Sequence, residues 1–223
     1  MVLSYCVPCH RREADLVVAL PVVYAAAALS PPVEVVIVDY ANHPPLTLPP
    51  PPPGVTLRVP RYTGRDHYHM AHARNLSIRA ATGDYVVVSC ADILPEPSYF
   101  VALRMRIEET RAVGLIPSRL RGVLVCQRAE LVAAGGFDER FEFYGPEDKD
   151  LEARLRRRGA PGAGYWHGWL RMIPTPDVAK VAHYRVALGK RAMHHRGVQL
   201  MQDNKMAGVL VANDGQPWGV GDA

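Results

Sequence analysis

The chain has 223 residues, 48% apolar and 22% charged, with a formal net charge of +4. That supports one α/β domain with a real core and excludes a disordered or collagen-like chain. No apolar run reaches the ~20 residues of a membrane span, and no basic segment precedes an apolar core at the N-terminus, so a cytoplasmic setting is expected. Residues 2–7 read as a buried strand, followed by the turn Pro8-Cys9-His10-Arg11-Arg12. Residues 13–29 read as a helix with Leu16, Leu20, Val23 and Ala27 near one face, which Pro21 should kink or break. The β-branched run 33–39 is a second strand, and strand, helix, strand at this spacing predicts a right-handed parallel unit. Ligands bind such sheets at the carboxyl ends of the strands, where Arg11, Arg12 and Asp39 fall. Pro44 to Pro53 is a proline-rich, extended loop, and residues 55–59 are a third strand. Residues 61–69 form a polar, aromatic loop that leads into a helix stopped by Gly83. His67, His69 and His72 have spacings a metal accepts, although loop histidines are more often solvated. Residues 85–95 are the central strand and its exit, with Cys90-Ala91-Asp92 at the end. A helix at 98–110, strands at 113–117 and 123–127, and a short helix at 128–134 follow. The four cysteines include Cys6-x-x-Cys9 without a second pair, and free buried thiols are expected.

Gly135-Gly136 then turns the chain into an aromatic loop and a helix. Pro146 suits the first helical position. Glu147, Asp148 and Asp150 occupy the first turn, where the helix dipole favours negative charge. Leu151 and Leu155 make the buried stripe, Asp150 with Arg154 and Glu152 with Arg156 pair on the outside, and Gly159 stops the helix. By themselves such acids describe a well-capped surface helix. The aromatic, Gly-Pro loop before them gives a concave, partly dry setting that tunes a general base. Beyond it, Trp166 and Trp169 either stack on a sugar face or belong to the core. The basic run at 189–196 is a solvated face or a contact for a polyanionic acceptor, DNA or RNA included.

Taken in order, these residues resemble the GT-A glycosyltransferases of family 2 and the galactosyltransferases. The matching motifs are P-x-x-x-R at Pro8 to Arg12, a strand ending in Asp39, and Ala73-Arg74-Asn75. Asp92 stands at the D-x-D position, and Gly135-Gly136-Phe137-Asp138-Glu139 precedes Glu147-Asp148-Lys149-Asp150. The resemblance spans roughly residues 2–183. It implies a GT-A (nucleotide-diphospho-sugar transferase) fold with a mostly parallel central sheet flanked by helices. It implies one domain at 1–188, with 189–223 as a basic extension packed on or near it. The implied reaction moves a hexose from a nucleotide-sugar donor, UDP-sugar favoured, to an acceptor hydroxyl with inversion. Pro8, Arg11, Arg12, Asp39, Arg74, Asn75, Ala91 and Asp92 would surround the donor. Asp92, with His183 or alternatively His167, would hold Mn²⁺ or Mg²⁺. Asp148 would be the base and Glu147 its neighbour, with Tyr144, Trp166 and Trp169 on a saccharide, small-molecule or modified nucleic-acid acceptor. The chain departs from the family at Cys90, which replaces the first acid of D-x-D and leaves open a non-catalytic sugar-nucleotide binder. A nucleotidyltransferase would want a glycine-rich phosphate loop where Pro8 to Arg12 stands.

Overall fold

A computed structural model describes residues 1–110, 115–117, 122–160, 169–184 and 188–221. The first apolar run becomes β1 (Leu3–Cys9) and the β-branched run becomes β2 (Val33–Tyr40). Every residue of both strands is buried, as parallel strands covered on both faces require. They pair in parallel from Leu3 beside Val33 to Cys9 beside Asp39. β3 (Val55–Arg58) and the short β4 (Arg61–Tyr62) both add in parallel to β2. β5 (Tyr85–Val88) lies parallel on the other side of β1. A short β6 (Ile93–Pro95) follows it outside this sheet. β7 (Leu115–Pro117) and β8 (Leu124–Gln127) complete the edge in antiparallel fashion, and the order is β3-β2-β1-β5-β8-β7. Strand order therefore reverses between β1 and β5. The crevice at such a switch point is where open α/β sheets bind ligands.

Helices cover both faces. α1 (Glu13–Ala28) and α3 (Tyr99–Thr110) pack Leu16, Leu20, Val23, Phe100 and Leu103 against Tyr5, Val7, Val35 and Ile37. On the opposite face lie α2 (Met70–Ala80), α4 (Arg128–Ala133) and α5 (Glu147–Arg157). They bring Ile78, Leu131, Leu151 and Leu155 onto Cys6, Val36, Val86 and Val88. β9 (Leu170–Met172) pairs with β6 as a separate ribbon, and α6 (Asp177–Val181) and α7 (Lys190–Met206) complete the chain. Among the described residues, no helix is long and apolar enough to cross a membrane, and all four cysteines are free.

Several expectations change. Pro21 neither breaks nor ends α1, which runs through it. Pro21 and Val17, four residues before it, are both exposed, so the helical hydrogen bond that Pro21 cannot donate is missing on the exposed side of α1. α2 stops at Ala80, before Gly83. Gly83 instead permits a close approach to β1, because a Cβ there would lie 2.5 Å from Ser4 Oγ. Pro146 is the cap residue rather than the first helical residue. Residues 61–62 of the expected loop join the sheet, and 113–114 of an expected strand lie outside the described residues.

Gly135 holds the turn before α5. Its φ is +71°, and a Cβ would lie 2.0 Å from the carbonyl oxygen of Ala212. Gly135→Ala is expected to cost about 2–4 kcal/mol through strain and overpacking. A urea titration would show a lower midpoint at constant slope, and an unchanged midpoint would remove this constraint.

Candidate active site

The loops leaving β1, β2 and β5 meet at the switch point. Arg12, at the N-cap of α1, donates from Nη2 to Asp92 Oδ2 (3.1 Å) and Thr175 Oγ1 (2.8 Å), and its Nε meets Asp15. Thr175 was not foreseen, since it lies 83 residues beyond Asp92 in the sequence. Arg11 and Ala41, at the ends of β1 and β2, both have φ of 51°. Non-glycine residues held at positive φ collect at ligand sites. The Arg11 backbone N–H donates to Asn42 Oδ1 (2.7 Å), while its side chain is exposed. A cavity of about 590 Å³ opens there between Arg11, Leu16, Ala41, His43 and Leu46.

Other expected donor residues stand elsewhere. Pro8 lies inside β1, opposite Val38. Asp39 is buried, and its carboxylate accepts from Asn42 Nδ2 (2.7 Å) and the Leu46 N–H (3.2 Å), so it closes its own loop. Ala91 is buried in the turn after β5. His10 was missed. It is buried, donates from Nδ1 to the Tyr40 carbonyl (2.6 Å), and stacks on Tyr68 with 5.4 Å between ring centroids. His183 meets the His10 ring edge-on at 5.6 Å. Burial, then the charges of Arg11 and Arg12, lower the pKa of His183, which keeps the ring neutral. Among the described residues, no three metal-type side chains converge. Asp92 supplies a carboxylate oxygen beside Arg12 and Thr175, which fits an ion bound through one or two carboxylates plus substrate phosphates. His167 lies outside the described residues.

A second cluster is built around Arg74, which the resemblance assigns to the donor. This residue is 1% exposed. Its Nη1 donates to Glu147 Oε1 (2.9 Å), its Nη2 donates to the Gly122 carbonyl (3.1 Å), and Cys90 Sγ lies at 3.6 Å. The guanidinium also lies over the Phe137 ring, 5.1 Å from its centroid. Burial, and next to it the Asp148 charge, push Glu147 up to about 7 against the opposing pull of Arg74. Asp148 is half-buried, and its Oδ2 accepts from the Gly122 N–H (3.1 Å). Asn75 is buried and its amide is occupied: Nδ2 donates to the Phe137 carbonyl (2.8 Å) and Glu139 Oε1 (2.9 Å), and Oδ1 accepts from the Phe137 N–H (2.8 Å). It therefore clamps the glycine turn to α2. Asp150 pairs with Arg154 (2.8 Å), but both side chains are at most 2% exposed, so the pair expected outside lies inside. Tyr144 is half-buried and edge-on to Tyr184, with 6.4 Å between centroids. Trp169 is 48% exposed. Trp166 lies outside the described residues.

The C-terminal segment adds residues that motif reading passed over. Asn204 Nδ2 donates to Asp138 Oδ2 and Asp150 Oδ1, both at 2.9 Å. Asn213 Nδ2 donates to the carbonyls of Gly135 (2.8 Å) and Phe137 (2.7 Å). Asn204 carried a signal: it continues the buried stripe of Met193, Gly197 and Leu200, and a polar residue on such a stripe needs partners.

The buried pair makes an asymmetric prediction. Arginine cannot shed its charge, whereas Glu147 neutralises by binding a proton. Glu147→Leu is therefore expected to cost about 3–5 kcal/mol, Arg74→Met less, and the double variant less than Glu147→Leu alone. Because the folded pKa of Glu147 is already raised, Arg74→Met should lose stability as pH rises through 7 and recover it towards pH 5, in urea titrations at each pH. A second window belongs to His69. It caps α2 by accepting the His72 N–H at Nδ1 (3.2 Å) and donates from Nε2 to the Glu139 carbonyl (2.9 Å). Burial, then Arg65, lower its pKa from 6.5 to about 4. A lowered histidine contributes stability above its unfolded pKa, so that share should fade between pH 6.5 and 4, and His69→Asn should flatten the loss.

Residues 114–174 match the family model described as the N-terminal domain of galactosyltransferase. No curated protein matches the chain. Solved structures similar to it include the following three. The catalytic domain of Drosophila beta1,4galactosyltransferase 7, complexed with xylobiose, is 15% identical at a TM-score of 0.58, over 88% of this chain and 80% of that one. S. aureus TarS 1-349 with UDP is 12% identical at 0.61, over 93% and 72%. The mannosyltransferase PcManGT from Pyrobaculum calidifontis, with GDP-Man and Mn2+, is 20% identical at 0.57, over 73% and 54%, so this chain spans about half its length. Together with the sheet order and the switch-point crevice, these likenesses show that the chain has the GT-A fold of nucleotide-sugar glycosyltransferases.

Proposed function

We propose that this protein is an inverting glycosyltransferase that moves a hexose from a nucleoside-diphosphate donor, UDP-sugar favoured, to an acceptor hydroxyl. One observation carries the reading. Arg74 contacts Cys90 at the β5 exit and Glu147 at the start of α5, which ties the two segments that carry Asp92 and Asp148 to one buried residue. Known structures of this fold, with UDP or with GDP-Man and Mn2+, support a nucleotide-sugar donor.

In this reading the cavity beside Arg11 takes the nucleoside, and Arg11 and Arg12 face the diphosphate. Asp92, with His183 as a second ligand, would hold Mn²⁺ or Mg²⁺ against the phosphates. When bound, the ion supplies positive charge for the leaving nucleotide. Asp148 accepts the proton of the acceptor hydroxyl. The freed oxygen attacks the anomeric carbon from the face opposite the donor phosphate. The carbon–oxygen bond to the phosphate breaks, its electron pair stays with the nucleoside diphosphate, and the centre inverts. Glu147 holds Arg74 and keeps the Asp148 turn in place. Tyr144, Trp169 and Trp166 would meet the acceptor.

Asp148→Asn is expected to lower turnover by about 10²–10⁴ and leave UDP affinity near the wild-type value. Undiminished turnover in the folded variant would sink the assignment. Calorimetry with UDP and GDP, each with and without Mn²⁺, should show metal-enhanced binding of one nucleotide, and Asp92→Asn should abolish the enhancement. Cys90 in the first acidic position favours a second reading, a sugar-nucleotide binder without turnover. Activity that appears only in Cys90→Asp would select it.

A further inference from the structure

We propose that Arg12 locks Asp92: its guanidinium holds the carboxylate, and a divalent ion reaches Asp92 only when a diphosphate draws Arg12 away. The diphosphate therefore binds before the metal. That it belongs to a nucleotide-sugar rests on the glycosyltransferase reading. The lock on Asp92 does not.

Asp92 lies in the turn between β5 and β6. Its Oδ2 accepts from Arg12 Nη2 at 3.1 Å, and Thr175 Oγ1 lies 3.5 Å from the same oxygen. That Nη2 also donates to Thr175 Oγ1 at 2.8 Å, so arginine, acid and hydroxyl close a triangle. The Ile173 N–H donates to the Asp92 carbonyl at 2.8 Å, which pins the Thr175 segment beside the acid. Arg12 Nε meets Asp15 in the first turn of α1, so the guanidinium is held at both ends. The side chains of Arg12 and Asp92 are 23% and 12% exposed, and salt screens a partly buried pair little. A hard divalent ion binds a carboxylate oxygen at about 2 Å. On Oδ2 it would stand a few ångströms from a fixed positive charge, and that repulsion grows as water is excluded. The ion's apparent affinity is therefore its intrinsic affinity scaled by the fraction of molecules in which Arg12 has left Asp92. Release has a built route. A diphosphate offers the guanidinium paired oxygens and more negative charge than one carboxylate. Asp15 keeps Nε while the Nη end turns to the phosphates, so the arginine is not stranded. Asp92 is then bare, and an ion that joins it gains phosphate oxygens as further ligands.

The test counts Mn²⁺ bound to the full chain by electron paramagnetic resonance, with no nucleotide present. Arg12→Gln should bind Mn²⁺ about tenfold or more tighter than the wild type, because the competing charge is gone. Thr175→Val should bind it about threefold or more tighter, because one hold on the arginine is gone. It carries the same comparison should Arg12→Gln fail to fold, and a urea midpoint reports the fold of each variant. Adding Asp92→Asn to Arg12→Gln should abolish the gain, which places the ion on Asp92. Linkage supplies a second readout: Mn²⁺ should raise UDP affinity by a larger factor in the wild type than in Arg12→Gln. Equal Mn²⁺ affinity in the wild type and the folded variants overturns the proposal. So does a gain that survives Asp92→Asn, or an equal effect of Mn²⁺ on UDP affinity with and without Arg12. Equal Mn²⁺ affinity alongside metal-enhanced UDP binding overturns the lock and leaves the transferase reading. A gain in Arg12→Gln without UDP binding to any form supports the lock and overturns the donor assignment.

Discussion

Arg74 carries a charge that it cannot release into a place that water does not reach. Such a charge is tolerated only where hydrogen bonds and an opposite charge surround it. Glu147, the Gly122 carbonyl, the Cys90 sulfur and the Phe137 face supply that surround. They come from the start of α5, the turn before β8, the exit of β5 and the glycine turn. One guanidinium therefore ties the start of α5 and the glycine turn to the β5 exit and the β8 entry, which the sheet already pairs. The pair is weak evidence for net stability, because desolvation offsets most of its attraction. Its consequence is geometric: the β5 exit and the first turn of α5 cannot separate without stranding a buried ion.

The first turn of α5 shows how tertiary context divides one chemistry into three roles. Glu147, Asp148 and Asp150 all suit the positive end of a helix. Glu147 faces Arg74 and is pushed towards neutrality by burial. Asp150 faces Arg154 and Asn204 inside the core. Asp148 lies between them, half-buried, and accepts the Gly122 N–H at Oδ2 and the Lys149 N–H at Oδ1. Of the three acids it is the one without an arginine partner among the described residues and the only one not buried.

The C-terminal segment serves this arrangement from behind. Ala212 donates its N–H to the Ala134 carbonyl at 3.0 Å, and the Gly219 N–H reaches Glu139 at 2.8 Å. The glycine turn is thus held between Asn75 of α2 and residues 204–219. Residues 204 and 213 are asparagines whose two-sided amides accept and donate at once, which suits a strap that must satisfy both a carboxylate and bare carbonyls.

The sequence by itself determined the main strands and helices up to α5 and the order of motifs, but not the short strands β4, β6 and β9 or the helices α6 and α7. β-branched runs, glycine turns and first-turn acids are local signals, and a strand, helix, strand series restricts the topology to a right-handed parallel unit. It also marked Arg12, Arg74, Asp92 and Asp148. Only the tertiary structure decided which of the marked groups face the crevice. Asp39 and Asn75 fit their motifs, yet their oxygens and nitrogens are consumed by loops 3 to 64 residues away. Thr175, Asn204 and His10 carry no motif, yet they meet Asp92 or Arg12, Asp138 and Asp150, and Tyr40. Pattern reading sees residue type and spacing along the chain. Hydrogen-bond occupancy and burial depend on what long-range packing brings alongside, and at this site those partners come from distant parts of the sequence.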